Sequence, residues 1–240
     1  MTELLNKKQL DTARQKNVRD FGNAVLYKLC KDNFKHDTDD HILTKVLFIG
    51  RIYAAAVERR RNKSDGINDN FYTDTVVPTF RKSKLDDKLS DLKIVKTEKI
   101  ENIKSVLQTH YYLTSMLQKI TALDKRSFSS KYLHFHLPDL FYIYDSRAVT
   151  ALRQFTSQVP KDLKHILELN NIDNEYAKFY CKCYDLKRQI KTQFNIALTN
   201  RQLDNLLIEV ANKQSGLKLK KSNVNRRTEK RIFFIKSRAN

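Results

Sequence analysis

The 240-residue chain contains no tryptophan, four glycines and three prolines. So few turn-forming residues argue against long flexible linkers and against a sheet-rich fold with many tight turns. Three cysteines, an odd number in a chain of this size, are typical of free thiols in a reducing cytosol rather than of a disulfide framework. We therefore expect a cytoplasmic protein that is not held together by disulfide bonds.

The chain also lacks a long apolar run. Its most apolar stretch, Val46–Val57, is interrupted by Arg51 and is much shorter than the roughly 20 residues that span a bilayer. The first residues, Met-Thr-Glu-Leu-Leu-Asn-Lys-Lys, have no apolar segment like that of a secretory signal. We find no lipidation signal and no amphipathic helix with a membrane-binding face. We therefore expect no membrane partner.

The chain has an excess of positively charged residues. It contains 46 lysines and arginines against 27 aspartates and glutamates, which gives a formal net charge of +19 and a pI near 9.8. A domain this basic most often binds a nucleic-acid backbone, because its cations release the counterions held by the phosphates. The composition therefore predicts a nucleic-acid partner.

Helical periodicity dominates the chain, so the fold class is predicted to be mostly α. Apolar spacing and capping residues predict five helices. They run from Asp39 or Asp40 through His41–Arg61, from Thr97 or Glu98 to about Leu123, from Ser146 to about Phe155, over Asn174–Phe194, and from Thr199 or Asn200 to before Gly216.

The segments outside these helices have other predicted structures. Residues 62–75 are rich in turn-forming residues and are predicted as a loop. Arg231–Lys236 is the one good strand candidate near the end. We expect a single helical domain over residues 1–212, followed by a basic extension over 213–240. This extension is either a solvated tail or an arm that runs along a phosphate backbone.

The most informative segment lies between residues 127 and 147. It places Lys131 on a short amphipathic helix and Asp145 in front of the next helix, with Pro138 and an aromatic connector between them. A lysine amine acts as a nucleophile only when it is neutral, so its pKa must be lowered by burial or by cationic neighbours. Lys125, Arg126 and Arg147 are the candidate neighbours.

The pattern Ser127-Phe128-Ser129-Ser130-Lys131, preceded by a helix and followed by an aspartate, resembles the Gly-x-Gly-x-Lys motif of the helix-hairpin-helix DNA glycosylase superfamily. Serines replace both glycines, and the separation of lysine and aspartate is shorter than in typical members. The chain looks most similar to the bacterial oxoguanine-glycosylase-like branch. Two further segments resemble that branch, Ile49–Arg60 and Arg201–Leu207.

The resemblance implies two intimate helical lobes with a cleft between them and a hairpin at about 101–137. It implies a monomer that binds double-stranded DNA without a cofactor and excises a flipped base, with AP lyase activity as a second step. Lys131 takes the place of the nucleophile and Asp145 that of the catalytic aspartate. The resemblance also implies a role in defence, in which the enzyme attacks modified bases of invading phage DNA.

Other residues are predicted to complete the site. Arg51 and Glu58 are spaced to share one helix face in an apolar stretch, so they form either an internal ion pair or part of the pocket. The DNA-binding candidates are Ser127, Ser129, Ser130, Lys125, Arg126 and Arg147. The base-pocket candidates are Arg51, Tyr53, Glu58, His134 and Phe135.

Two alternatives accompany this prediction. A non-catalytic helix-hairpin-helix protein would use the same hairpin and basic tail only to bind the DNA backbone.

His134-x-His136 and Cys181-x-Cys183 could supply four zinc ligands, but these spacings do not match the usual zinc patterns, so we expect no metal. We expect one of the two histidines to be a core residue and the other a donor that faces the groove.

Overall fold

The computed structural model describes residues 5–60, 68–95 and 99–214. This part of the chain is helical and contains no β-strand, so the predicted fold class, mostly α, is confirmed. In chain order the elements are α1 (Lys7–Arg14), α2 (Val18–Asp32), α3 (Asp39–Ile52), α4 (Asn68–Phe71), a π-helical segment (Tyr72–Val76), α5 (Val77–Arg81), α6 (Leu85–Lys93), α7 (Ile100–Thr121), α8 (Arg126–His136), α9 (Ser146–Leu152), a 3-10 helix (Lys161–Glu168), α10 (Asn174–Phe194) and α11 (200–214).

Helix α8 is the central element of the fold. It packs against α2, α3 and α7, and every residue from Phe128 to His136 is buried. A helix that is buried on all sides must satisfy its polar side chains internally. Tyr132 does so through a 2.6 Å hydrogen bond to Nε2 of His36, whose Nδ1 lies 2.5 Å from Asp86 Oδ1. The backbone around Lys131 is therefore held rigidly.

All five predicted helices are found: α10 and the described part of α11 agree with the predicted bounds, whereas α3, α7 and α9 end before the predicted residue. The prediction for Asn174–Phe194 matches α10. At α11, Thr199 and Gln202 form a reciprocal capping box, with Gln202 N donating to Thr199 Oγ1 at 3.1 Å and Thr199 N to Gln202 Oε1 at 2.9 Å. Helix α7 ends at Thr121 because Ala122 adopts a left-handed conformation, with φ 55°.

Two predictions of local structure are wrong. The helix predicted through Arg61 ends at Ile52, because the chain turns back on itself beyond that residue. The N–H of Ala55 donates to the carbonyl of Gly50 at 2.7 Å, and Ala54 is left-handed with φ 50°. The loop predicted over 62–75 is helical from Asn68 onward.

Some predictions lie outside the described residues, namely the strand at Arg231–Lys236 and most of the basic extension over 213–240. Within the described residues, no helix is long and apolar enough to cross a membrane. Cys30, Cys181 and Cys183 are all buried, and none of the three forms a disulfide bond.

Candidate active-site cavity

A cavity of about 330 Å³ lies between α2, the turn after α3, α8, the start of α9 and α11. The buried Lys131 marks its inner end, and the exposed Ile52 and Arg147 mark its mouth. This volume is at the lower end of the range for small-molecule sites. The cavity is lined by Arg19, Gly22, Asn23, Ile52, Tyr53, Ala54, Lys131, Ile143, Asp145, Arg147, Arg201, Asp204 and Ile208.

Lys131 is held by three oxygen atoms. Its ammonium donates to Ser127 Oγ, one helical turn earlier, at 2.8 Å, and approaches the carbonyl of Tyr53 at 3.5 Å and Asp145 Oδ2 at 3.7 Å. Its side chain is only 2% exposed. Burial lowers the pKa of Lys131, since desolvation disfavours the charged amine; the negative charges of Asp145 and Asp204 oppose that shift, and Arg147 adds to it.

Asp145 has a second role as the N-cap of α9. Its Oδ1 accepts hydrogen bonds from the backbone N–H of Arg147 at 2.9 Å and from Arg147 Nε at 3.4 Å. Partial burial by itself raises the pKa of Asp145, but the backbone N–H of Arg147 and the charge of Lys131 outweigh it, so the pKa is lowered. The carboxylate is therefore ionised beside the lysine.

The opposite wall of the cavity carries a second polar group. The Tyr53 hydroxyl donates to Asn23 Oδ1 at 2.6 Å. Arg201 donates through Nη1 to Asp204 Oδ2 at 2.5 Å and through Nε to Asp20 Oδ1 at 3.2 Å. Burial raises the pKa of Asp204 to about 6, although Arg201 opposes the shift. The cavity thus brings a buried lysine and a carboxylate together with a set of hydrogen-bonding groups.

Among the residues predicted for the site, Lys131, Asp145, Arg147 and Tyr53 line the cavity together. Arg51 and Glu58 are not among its described lining residues. They were expected on one helix face, but α3 ends at Ile52, so no helix connects them. Glu58 instead accepts a short hydrogen bond from the Tyr72 hydroxyl. Neither residue lines this cavity, so their assignment to the base pocket gains no support from it.

His134 and Phe135 lie behind the cavity wall rather than in it. Nε2 of His134 lies 2.7 Å from the Tyr27 hydroxyl and Nδ1 lies 2.7 Å from the carbonyl oxygen of Phe141. Burial lowers the pKa of His134 to about 4, so the ring is neutral. Phe135 packs edge-on against Tyr53, with the ring centroids 5.3 Å apart. Both residues support the wall, and their placement in the base pocket is corrected accordingly.

His136 is also buried. Its Nδ1 lies 2.8 Å from the carbonyl of Tyr132, and its Nε2 lies 3.5 Å from Lys45 Nζ. The prediction that one histidine of the pair faces the groove is therefore wrong. In the described residues there is no group of three or more side chains that could hold a metal ion.

The residues predicted to bind DNA have different surroundings. Ser129 and Ser130 are fully buried, and Ser130 Oγ accepts from the backbone N–H of Tyr144 at 3.0 Å. A direct contact of either hydroxyl with DNA is therefore not supported. Both lie inside α8 rather than in the turn between α7 and α8, which is formed by residues 122–125. Ser127 also lies in α8 and contacts Lys131 instead.

The three basic candidates differ in their freedom to meet a phosphate. Lys125 donates to the carbonyl of Arg59 at 2.6 Å and is largely buried. Arg126 is paired through Nε with Asp173, at 2.8 Å and 2.7 Å from its two carboxylate oxygens. Arg147 keeps a half-exposed side chain at the mouth of the cavity. Arg147 is thus the best placed of the three.

The prediction from sequence missed Asn23, Arg201 and Asp204. Arg201 and Asp204 lie within a segment that resembles the glycosylase branch, and they are charged residues three apart on a helix that otherwise buries Leu203, Leu206 and Leu207. That spacing was the feature of the sequence from which the two residues could have been predicted. No pattern in the sequence distinguishes Asn23, which reaches the cavity only through the packing of α2 against α8.

No protein-family model, no curated protein and no solved structure matches the chain. The chemistry of the cavity residues is therefore the basis for assigning a function.

Proposed function

We propose that the chain is a DNA glycosylase with associated AP lyase activity, which excises a base flipped out of double-stranded DNA. The observation that carries this proposal is a buried lysine whose pKa is lowered, 3.7 Å from an ionised aspartate, in a cavity of about 330 Å³. The proposal includes a helix-hairpin-helix architecture with two helical lobes. Helices α7 and α8 then form its hairpin, and the cavity forms its cleft.

The chemistry needs both residues of the pair. Departure of the base leaves positive charge on the sugar, and the Asp145 carboxylate stabilises that charge. The neutral Lys131 amine attacks C1′ as the glycosidic bond breaks, and the base leaves with the bonding electrons and takes up a proton. Opening of the sugar ring gives a Schiff base between Lys131 and C1′. β-Elimination from this intermediate then cleaves the strand on the 3′ side.

The charge of the molecule supports a DNA substrate. A net charge of +19 attracts the phosphate backbone, and Arg147 places a half-exposed guanidinium at the cavity mouth. In this proposal, the enzyme acts in defence against phage DNA that carries modified bases. The rival function is a non-catalytic DNA-binding protein that uses the same charge without the chemistry.

Borohydride trapping separates the two functions. Borohydride reduces the Schiff base and fixes the protein covalently to DNA that contains an abasic site. We expect the natural chain to form this adduct and Lys131→Gln, which keeps a hydrogen-bond donor of similar length, to form none. Lys28→Ala serves as the matched control, because Lys28 is a solvent-exposed lysine, and it should trap normally.

A natural chain that binds DNA but gives no adduct and releases no base supports the rival function. Trapping that persists in Lys131→Gln shows that another amine is the nucleophile.

A further inference from the structure

Three buried polar atoms in the cavity wall have no hydrogen-bond partner among the described residues. They are Asn23 Nδ2, Arg201 Nη2 and Asp204 Oδ1. Buried polar atoms in proteins are nearly always paired, so a group left unpaired requires an explanation. Here all three belong to residues that line the cavity containing Lys131 and Asp145. A ligand in the cavity can supply the missing partners.

Contacts to the surrounding protein determine which atom of each side chain is left unpaired. Asn23 Oδ1 accepts from the Tyr53 hydroxyl at 2.6 Å, so its amide nitrogen remains. Arg201 uses Nε for Asp20 and Nη1 for Asp204, so Nη2 remains. Asp204 uses Oδ2 for Arg201, so Oδ1 remains. The three side chains are thus held in place before any ligand arrives, which lowers the cost of binding.

Together the three side chains offer two donors and one acceptor. The amide of Asn23 and the guanidinium of Arg201 donate, and the ionised carboxylate of Asp204 accepts. Burial raises the pKa of Asp204 to about 6, so above that pH the carboxylate is charged and cannot donate. A ligand that satisfies all three groups must present one donor and two acceptors.

Among the Watson–Crick edges of the bases, this requirement selects the pyrimidines. Cytosine presents one amino donor with N3 and O2 as acceptors, and thymine or uracil presents N3–H between two carbonyl groups. Guanine offers two donors and one acceptor, and adenine offers one of each. Ile52, Ile143 and Ile208 of the same cavity provide apolar surface for the faces of the ring.

We propose that the cavity takes a pyrimidine base, which Asn23, Arg201 and Asp204 read along its Watson–Crick edge. This specificity rests on the proposed glycosylase function, because a base reaches the cavity only when it is flipped out of the duplex.

The test measures binding rather than excision. Duplexes carry one target nucleotide as a single unpaired bulge, so that no base opposite it holds the target in the stack. A 2′-fluorine on the target sugar disfavours the cationic transition state and keeps the base attached. The targets are cytosine, 5-hydroxymethylcytosine, thymine, uracil, guanine, 8-oxoguanine and adenine. We expect at least one pyrimidine to bind about 10- to 100-fold more tightly than every purine, the factor typical of hydrogen bonds to charged groups.

Two variants test whether the cavity residues cause the preference for a pyrimidine. Asp204→Asn places an amino donor where the acceptor was, because Arg201 Nη1 retains the oxygen, and Asn23→Ser removes a donor. Both should reduce the preference for the pyrimidine to within a few-fold. Far-UV circular dichroism spectra that match the spectrum of the natural chain report that both variants are folded.

Equal or tighter binding of a purine by the natural chain overturns the proposal, as does a pyrimidine preference that both variants retain. Failure of the natural chain to trap abasic DNA overturns the glycosylase chemistry instead, and the binding preferences still report what the cavity reads. The two failures are therefore distinguishable.

Discussion

The charge state of Lys131 depends on influences that act in opposite directions. Burial and the guanidinium of Arg147 lower its pKa, whereas the carboxylates of Asp145 and Asp204 raise it. A depressed pKa means that the neutral amine is already present at a pH below the ordinary lysine value of 10.5. In the proposed mechanism, the aspartate that stabilises the transition state therefore also raises the pKa of the nucleophile.

The pH profile of abasic-site trapping should report this balance. We expect the trapping rate of the natural chain to rise with pH, as Lys131 loses its proton, and to level off below 10.5. Asp145→Asn should move the midpoint to lower pH, because a charge that favours the ammonium form is removed. Arg147→Gln should move it to higher pH. Midpoints that stay in place, or that move in the opposite directions, would show that another group controls the rate.

Asp145 caps a helix and, in the proposed mechanism, is also the reactive carboxylate, and two substitutions separate these roles. Asparagine caps helices as well as aspartate does, so Asp145→Asn should keep the cap and lose only the stability that comes from the charge beside Lys131, while base release slows by orders of magnitude. Asp145→Ala also loses the cap and should cost about 1 kcal/mol in the free energy of unfolding. Thermal melts and single-turnover excision assays measure both. Normal excision by Asp145→Asn would reduce Asp145 to a cap.

The local sequence indicates Lys131 and Asp145 because they lie in one short segment whose pattern has a chemical meaning. Asn23, Arg201 and Asp204 come from opposite ends of the chain and meet only through the packing of α2 and α11. A single sequence contains no signal for such a meeting. This is why one half of the cavity could be predicted and the other half could not.

At the scale of elements, the turn after α3 positions the Tyr53 carbonyl beside Lys131. This turn depends on Gly50, since a Cβ there would lie 3.0 Å from the backbone Cα of Ala56. Real Cβ atoms essentially never come closer, and here the neighbour is backbone rather than a flexible side chain. The lack of a side chain at Gly50 therefore allows the chain to fold back and form one edge of the cavity.

Gly50→Ala should destabilise the protein by about 1–3 kcal/mol, the usual cost of overpacking, and should slow trapping because the Tyr53 carbonyl shifts. Gly22→Ala is the matched control. Gly22 lies within α2, and a Cβ there meets nothing within 4 Å, so alanine should stabilise the helix by up to about 1 kcal/mol. Chemical unfolding compares the two. If Gly50→Ala is as stable as Gly22→Ala, the close approach does not determine the turn.

The same turn explains an error in the sequence-based prediction. Residues 53–57, Tyr-Ala-Ala-Ala-Val, continue the helical pattern of α3, and alanine has the highest helix propensity. Tertiary structure overrides that local preference, since α3 packs against α8 and the chain turns back at Ala54 and Ala55. Long helices such as α7 and α10 were predictable because periodicity and packing agree over many turns.

At the scale of the whole molecule, the excess of positive charge should dominate affinity for unmodified DNA. Each phosphate that a lysine or arginine neutralises releases a counterion, so the logarithm of the binding constant should fall linearly with the logarithm of salt concentration, by about 0.9 per phosphate. Binding isotherms on random-sequence duplexes at several salt concentrations measure this slope. A weak salt dependence would argue against backbone binding.

The basic extension can be tested by the same measurement. Truncation after Gln214 keeps the described part of α11, including Leu203, Leu206 and Leu207 in the core, and removes a segment rich in lysine and arginine. If the extension follows the phosphate backbone, the salt slope should become shallower by about 0.9 for each phosphate that the truncated chain no longer neutralises. Trapping on abasic DNA at low salt should persist, because the cavity is intact. An unchanged slope would show that the extension is a solvated tail and that the helical domain alone binds the backbone.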